Sequence, residues 1–155
     1  MSAPIPRLLV LGWGNLSRGD DALGPLCVAA LRETLPAHLV DHVEFLDDYQ
    51  LQIEFALDLV GRERILFVDA SLNCVAPFEV HTALPRHDST ISSHALSPEA
   101  LLQVFADLQG HTPPPATVLA IRGEAFELGE PMTANAQVHL VAAVAWASNW
   151  IQQTP

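Results

Sequence analysis

The chain has 155 residues and a mass of 16.8 kDa, which fits a single domain. Half of its residues are hydrophobic and 16% are charged, a composition that favours a folded core and excludes general disorder. Seven arginines, no lysine and eighteen acidic residues give a net charge of −11. This balance disfavours nucleic acid or an anionic membrane as a partner, and the lack of lysine excludes Schiff-base chemistry.

Strand and helix patterns alternate along the chain. Short apolar or alternating runs predict five strands, over 7–11, 42–46, 64–68, 78–83 and 116–121. Apolar residues at helical spacing predict four helices, over 21–35, 52–60, 98–108 and 132–151. The third helix has Ser97 as its N-cap and Pro98 in its first turn. This alternation is typical of a three-layer α/β/α sandwich.

The connection between the third and fourth strands sets the sheet topology. Only eight residues separate Asp69 from Phe78, which is too few for a helical crossover. The fourth strand is therefore predicted to run antiparallel and to lie near an edge. We expect a mixed five-stranded sheet in which four strands are parallel and one is reversed.

The class of protein is further limited by what the chain lacks. Two cysteines, Cys27 and Cys74, are too few for a disulfide framework or a four-cysteine zinc site. No apolar run reaches the ~18 residues that span a bilayer. The first residues lack the cationic segment of a signal peptide and predict a strand instead. We therefore expect a cytoplasmic protein with reduced cysteines, folded as a monomer.

Three chemically active side chains are predicted to meet at one edge of the sheet. The turn after strand one leads into Asp20 and Asp21, Asp69 ends strand three, and His94 precedes the helix that Ser97 caps. Ligands gather at the carboxyl ends of parallel strands. Two carboxylates and an imidazole suit a divalent transition metal with open coordination positions. Each residue also has a structural interpretation: an aspartate as helix cap, Asp69 as a turn residue, and His94 as a loop histidine bonded to backbone.

The glycines of the first turn do not form a dinucleotide site. In Gly12-Trp13-Gly14 the third glycine of the G-x-G-x-x-G motif is replaced by Ser17, and the acidic pair that follows would repel a phosphate. The motifs of common zinc proteases, α/β-hydrolases and thioredoxin-like proteins are also absent from the sequence.

Three segments together resemble the hydrogenase maturation proteases, and the resemblance extends over nearly the whole chain. The segments are LVLGWGNLSRGDDALGP (9–25), ILFVDA (65–70) and SHALSP (93–98). The resemblance implies a phosphorylase/hydrolase-like α/β/α fold. It also implies an endopeptidase that removes a C-terminal extension from the nickel-loaded precursor of a [NiFe]-hydrogenase large subunit. Asp21, Asp69 and His94 would be the catalytic residues and metal ligands, and the nickel would be supplied by the substrate.

The resemblance also suggests substrate contacts and a subgroup. We expect contacts with the precursor at Gly12, Gly14, Asn15, Asp48 and Gln50. Many relatives have glutamate where this chain has Asp21. The stretches DDYQL (47–51), SPEAL (97–101) and GEAFELG (123–129) resemble the branch that serves NAD-linked or other cytoplasmic hydrogenases. Two other functions stay open: a small zinc-dependent hydrolase using the same three residues, and a non-catalytic chaperone that binds nickel or the precursor.

Overall fold

The computed structural model describes residues 4–87 and 96–153, and their secondary structure follows the predicted order. The strands are β1 (Leu8–Trp13), β2 (Val43–Asp48), β3 (Arg64–Ser71), β4 (Phe78–Ala83) and β5 (Ala116–Arg122). The α-helices are α1 (Leu23–Thr34), α2 (Pro98–Gln109) and α3 (Ala134–Gln152). Short 3-10 helices cover Gly19–Ala22, Ala37–Leu39 and Ile53–Leu59. Within the described ranges, no helix combines the length and the hydropathy needed to cross a bilayer.

The sheet has the predicted mixed topology. Its strand order is β2-β1-β3-β5-β4. The pairs β1–β2, β1–β3 and β3–β5 are parallel, whereas β4 is antiparallel to β5 and forms one edge. The carboxyl ends of β1, β2, β3 and β5 therefore lie along one side of the sheet, where side chains remote in sequence can meet.

Helical layers cover both faces of the sheet and give the chain two cores. Along β1, Leu8 and Val10 pack on the face that α1 and α3 cover, while Leu9 and Leu11 pack on the face of α2. All four side chains are completely buried. A strand that is buried on both faces needs apolar residues at every position, which explains the unbroken run in the sequence.

The segment 52–60 differs from its prediction. We expected a helix that buries Ile53, Ala56, Leu57 and Val60, but the structure has a 3-10 helix in which Ala56 and Leu59 are buried. The side chains of Ile53, Leu57 and Val60 are 37–65% exposed. A 3-10 helix has three residues per turn, so Ala56 and Leu59 share its buried face, whereas the spacing of 3.6 assumed from sequence placed Leu57 and Val60 there instead.

The boundaries of the later helices follow from their caps. The Ser97 hydroxyl oxygen accepts a hydrogen bond from the backbone N–H of Ala100, and α2 begins at the predicted residue. Helix α3 starts two residues later than predicted. Its N-cap is Thr133, whose hydroxyl oxygen accepts from the backbone N–H of Ala136.

Helix α1 packs unusually close to the centre of the sheet. A Cβ atom on Gly24 would lie 2.3 Å from the carbonyl oxygen of Trp13, and one on Gly12 would lie 2.7 Å from the carbonyl oxygen of Gly24. Such distances are well inside van der Waals contact, so only glycine fits at either position. The close packing holds the turn before α1 over the carboxyl end of β1.

Candidate active site

The turn between β1 and α1 positions the carboxylate of Asp21. Gly14 has a φ of 152°, and a Cβ atom there would lie only 2.0 Å from the carbonyl oxygen of Asp21. The backbone N–H of Asn15 donates a hydrogen bond of 2.9 Å to Asp21 Oδ2, and Asn15 Oδ1 accepts one of 2.8 Å from the N–H of Ser17. The turn therefore folds back on itself and fixes one oxygen of Asp21.

Asp69 lies within strand β3, two residues before its end. The prediction that Asp69 ends the strand is wrong, because pairing with β5 continues through Ala70 and Ser71. One oxygen of the Asp69 carboxyl accepts a hydrogen bond of 2.8 Å from the backbone N–H of Ala70. A carboxyl group placed on a regular central strand has a better defined position than one placed on a loop.

Asp21 and Asp69 line the same cavity, of about 300 Å³. This confirms that the fold brings together two acids 48 positions apart in sequence. The cavity is lined by Trp13, Gly14, Asn15, Arg18, Asp21, Tyr49, Gln50, Asp69, Ala70 and Phe126. His94 lies outside the described residues, so its place at this cavity stays a prediction. Within the ranges described, no three His, Cys, Asp or Glu side chains group as a metal site.

The pKa of the Asp69 carboxyl group is strongly shifted from its ordinary value. Burial raises the pKa of Asp69 to about 7; the hydrogen bond from Ala70 opposes this shift, and the charge of Asp21 adds to it. A carboxyl group with a pKa near 7 can both accept and release a proton at neutral pH. The cavity therefore contains a group suited to acid–base chemistry beside a second carboxylate.

Asp20 has a different role from the helix cap considered from the sequence. The 3-10 helix Gly19–Ala22 has no side-chain cap. Asp20 is completely buried and accepts hydrogen bonds of 2.7–3.2 Å from the backbone N–H groups of Glu124, Ala125 and Thr133, and from the Thr133 hydroxyl. Burial alone would raise the pKa of Asp20, but these hydrogen bonds outweigh it and lower the pKa. The charged carboxylate thus ties the β5–α3 loop to the turn that carries Asp21.

Comparison of the sequence with known proteins finds one curated relative. No family model matches the chain. Hydrogenase 2 maturation protease of Escherichia coli (strain K12) is 38% identical over 64 residues, which are 41% of this chain and 38% of that protein. The alignment thus spans well under half of that relative.

Solved structures match over almost the whole chain. The [NiFe] hydrogenase maturation protease HycI from Thermococcus kodakarensis KOD1 superposes with a TM-score of 0.73 at 19% identity, covering 95% of this chain and 93% of that one. The hydrogenase maturating endopeptidase HybD from E. coli gives a TM-score of 0.71 at 25% identity, covering 91% and 89%. The resemblance to hydrogenase maturation proteases is confirmed. The mixed sheet with its flanking helices is the fold of these proteases.

The residues expected to contact substrate are distributed unevenly around the cavity. Gly14, Asn15 and Gln50 line it, and Asp48 lines an adjacent cavity of about 290 Å³. Gly12 does not line either cavity, because it is buried in β1 beneath α1. The glycine at this position serves helix packing, and its contact with the precursor stays a prediction.

Several lining residues were missed from the sequence. Arg18 and Phe126 line the cavity from opposite segments, and the Arg18 Nε donates a hydrogen bond of 3.2 Å to the carbonyl oxygen of Phe126. Tyr49 is 63% exposed at the rim, and its hydroxyl group lies 3.4 Å from the side-chain nitrogen of Asn15. Arg18 lies in the segment 9–25 and Phe126 in the stretch 123–129, both of which carry the family resemblance, but neither residue was predicted to line the site.

Proposed function

We propose that this chain is an endopeptidase that removes the C-terminal extension of a nickel-loaded [NiFe]-hydrogenase large-subunit precursor. One observation carries the proposal: Asp21 and Asp69 line one cavity at the carboxyl edge of a sheet whose fold is that of hydrogenase maturation proteases. The match in fold supports the family activity, and the paired carboxyl groups supply chemistry for it. The cytoplasm, where such a precursor would be processed, is the proposed location.

The nickel is proposed to arrive with the substrate. Carboxylate and imidazole groups are suitable ligands for Ni²⁺, so Asp21, Asp69 and His94 would bind the ion within the precursor and leave other coordination positions to the precursor's own groups. A divalent ion held there would polarise a nearby carbonyl group or water. Recognition of the ion would also distinguish a loaded precursor from an empty one, because the empty precursor lacks this anchor.

The chain's own residues would orient the reacting groups. The N–H of Asn15 holds one oxygen of Asp21, so the other oxygen is available to the substrate. Burial raises the pKa of Asp69 to about 7 in the empty site, so at neutral pH Asp69 would release its proton as the ion arrives and would bind the ion as the carboxylate. Because Asp69 is fixed on β3 and Asp21 on the glycine turn, both groups are positioned before substrate binds.

The test compares loaded and nickel-free precursor by mass spectrometry. We expect the wild-type chain to shorten only the loaded form, and the Asp21→Asn, Asp69→Asn and His94→Gln variants to leave it intact. Asp41→Asn is the matched control, since Asp41 is exposed just before β2, at the opposite edge of the sheet. Cleavage at the wild-type rate by all three site variants would contradict the proposal.

Two other results would replace the proposal with a specific alternative. A stable complex with the loaded precursor and no loss of the extension would indicate a chaperone. Stoichiometric zinc in protein purified without added metal, together with no processing of the precursor, would indicate a small zinc-dependent hydrolase.

A further inference from the structure

The catalytic cavity continues into a second cavity of about 480 Å³. The two cavities share the lining residues Asn15, Arg18, Tyr49 and Phe126. Glu127 and Leu128 extend the second one, and Leu128 is 74% exposed. We call the joined cavities the groove. It leads from Asp21 and Asp69 past an arginine and two aromatic rings, and its volume falls within the usual range for ligand sites.

The groove is formed before any ligand binds, because its two walls are bonded to each other. Three backbone hydrogen bonds of 2.7–3.1 Å join the first turn to the β5–α3 loop. The pairs are Gly19 N–H with Glu130 O, Asp20 N–H with Ala125 O, and Gly129 N–H with Ser17 O. The buried Asp20 carboxylate adds the bonds described above. A preformed groove needs little reorganisation to bind an extended polypeptide.

Arg18 is the one cationic side chain that lines either cavity in the part of the chain described. Its Nε is tethered to the carbonyl oxygen of Phe126, but its guanidinium forms no ion pair with a carboxylate of the described residues. Arg7 and Arg62, by contrast, pair with Glu63 and Glu44. The tether orients the guanidinium and leaves its two terminal nitrogens free to donate.

The charges around Arg18 make its position selective. The chain has a net charge of −11, and the other charged residues of the groove are Asp21, Asp69 and Glu127. An anionic group in a bound polypeptide is therefore repelled along the groove except at Arg18. A guanidinium with two free terminal nitrogens binds a carboxylate in a bidentate geometry.

We propose that Arg18 is a specificity-determining residue that binds a carboxylate of the processed polypeptide in the groove. The inference rests on the proposed function and deepens it, because it gives the substrate a chemical requirement beyond its nickel. The carboxylate has two possible sources, an acidic side chain near the scissile bond or the free C-terminus of the extension. Both present the same group to Arg18.

The experiment measures kcat and KM for cleavage of the loaded precursor by the wild-type chain, Arg18→Gln and Arg18→Lys. Arg7→Gln is the control, because it removes the same charge at the opposite edge of the sheet. Two altered precursors separate the sources: one has asparagine and glutamine in place of the acidic residues around and beyond the scissile bond, and the other ends in a carboxamide.

We expect Arg18→Gln to raise KM about tenfold with kcat within about twofold, because Arg18 contacts bound polypeptide and not the reacting bond. Arg18→Lys keeps the positive charge but cannot bind a carboxylate in a bidentate geometry. Its KM should therefore lie between that of the wild type and that of Arg18→Gln. With the wild-type chain, one of the two altered precursors should also raise KM about tenfold. With Arg18→Gln, that precursor should have the same KM as the unaltered precursor, because the contact is already lost. The precursor that does so identifies the carboxylate.

Three results would overturn the inference. The first is a KM of Arg18→Gln within twofold of the wild-type KM, and the second is a decrease in kcat with no change in KM. The third is that both altered precursors raise KM by the same factor with Arg18→Gln as with the wild type. In each of these the wild-type chain still cleaves the precursor, so the proposed function stands. If the wild-type chain does not shorten the loaded precursor at all, the proposed function fails and this inference fails with it.

Discussion

Replacing Asp69 with asparagine should stabilise the protein at neutral pH while it abolishes cleavage. The pKa of Asp69 is about 7 in the folded chain and near its ordinary value of 3.8 when unfolded. Between these values the folded state holds a proton that the unfolded state has released, so the free energy of unfolding falls as pH rises from about 4 to about 7. Asparagine keeps the side-chain size and an acceptor for the Ala70 N–H but carries no charge.

The magnitude follows from the size of the pKa shift. A shift of about three units corresponds to about 4 kcal/mol at most. Because Asp69 is partly exposed in an open cavity, solvent reduces this value, and we expect a gain of about 2 kcal/mol at pH 8. At pH 4 the two proteins should have nearly equal stability.

The assay is urea unfolding of both proteins at pH 4, 6 and 8 in the presence of a chelator, with Asp41→Asn as the exposed control. The gain for Asp69→Asn should grow with pH, whereas the control should show little change. An equal difference at all three pH values, or a loss of stability at pH 8, would refute the reasoning. Stabilisation with loss of cleavage would show that Asp69 is kept for function at a cost in stability.

Three further substitutions test how the site is built. Asp20→Ala leaves the buried N–H groups of the β5–α3 loop without an acceptor and should cost about 3 kcal/mol or more in urea unfolding; an unchanged unfolding midpoint would contradict this role. Gly14→Ala should cost about 1–3 kcal/mol and reduce cleavage, because its Cβ atom would displace the Asp21 carbonyl. The control Gly110→Ala has a similarly restricted φ of 74° but open space around it, so it should lose stability and keep wild-type cleavage. Ser97→Ala removes the N-cap of α2 and should lower the thermal midpoint through a loss of about 1 kcal/mol; no shift in the midpoint would show that the cap contributes nothing.

The topology could be predicted because its causes are local in sequence. The unbroken apolar run of β1 indicates burial on both faces, and the short connection before Phe78 forces β4 to reverse. The segment Ile53–Leu59 was harder, since a short apolar pattern does not show whether the helix has three or 3.6 residues per turn. Ala56 was therefore assigned correctly to the buried face, but Leu57 and Val60 were assigned to it in place of Leu59.

The site could be predicted only in part, for a related reason. Asp21 and Asp69 were found because the carboxyl ends of parallel strands must lie side by side. The partners of Asp20 are more than a hundred positions away, and no sequence pattern marks their N–H groups as donors to a carboxylate, so its bonds to Glu124 and Thr133 could not be foreseen. Phe126 escaped prediction because it lies on the same loop.

The most direct test of the account is a double-mutant cycle on the rate of precursor cleavage. If Asp21 and Asp69 act as a unit on the same reacting group, each asparagine substitution alone should remove nearly all activity, and the double variant should be no slower than the slower single variant. Independent losses that multiply in the double variant would show that the two carboxyl groups do not share one task, and the central claim would be wrong.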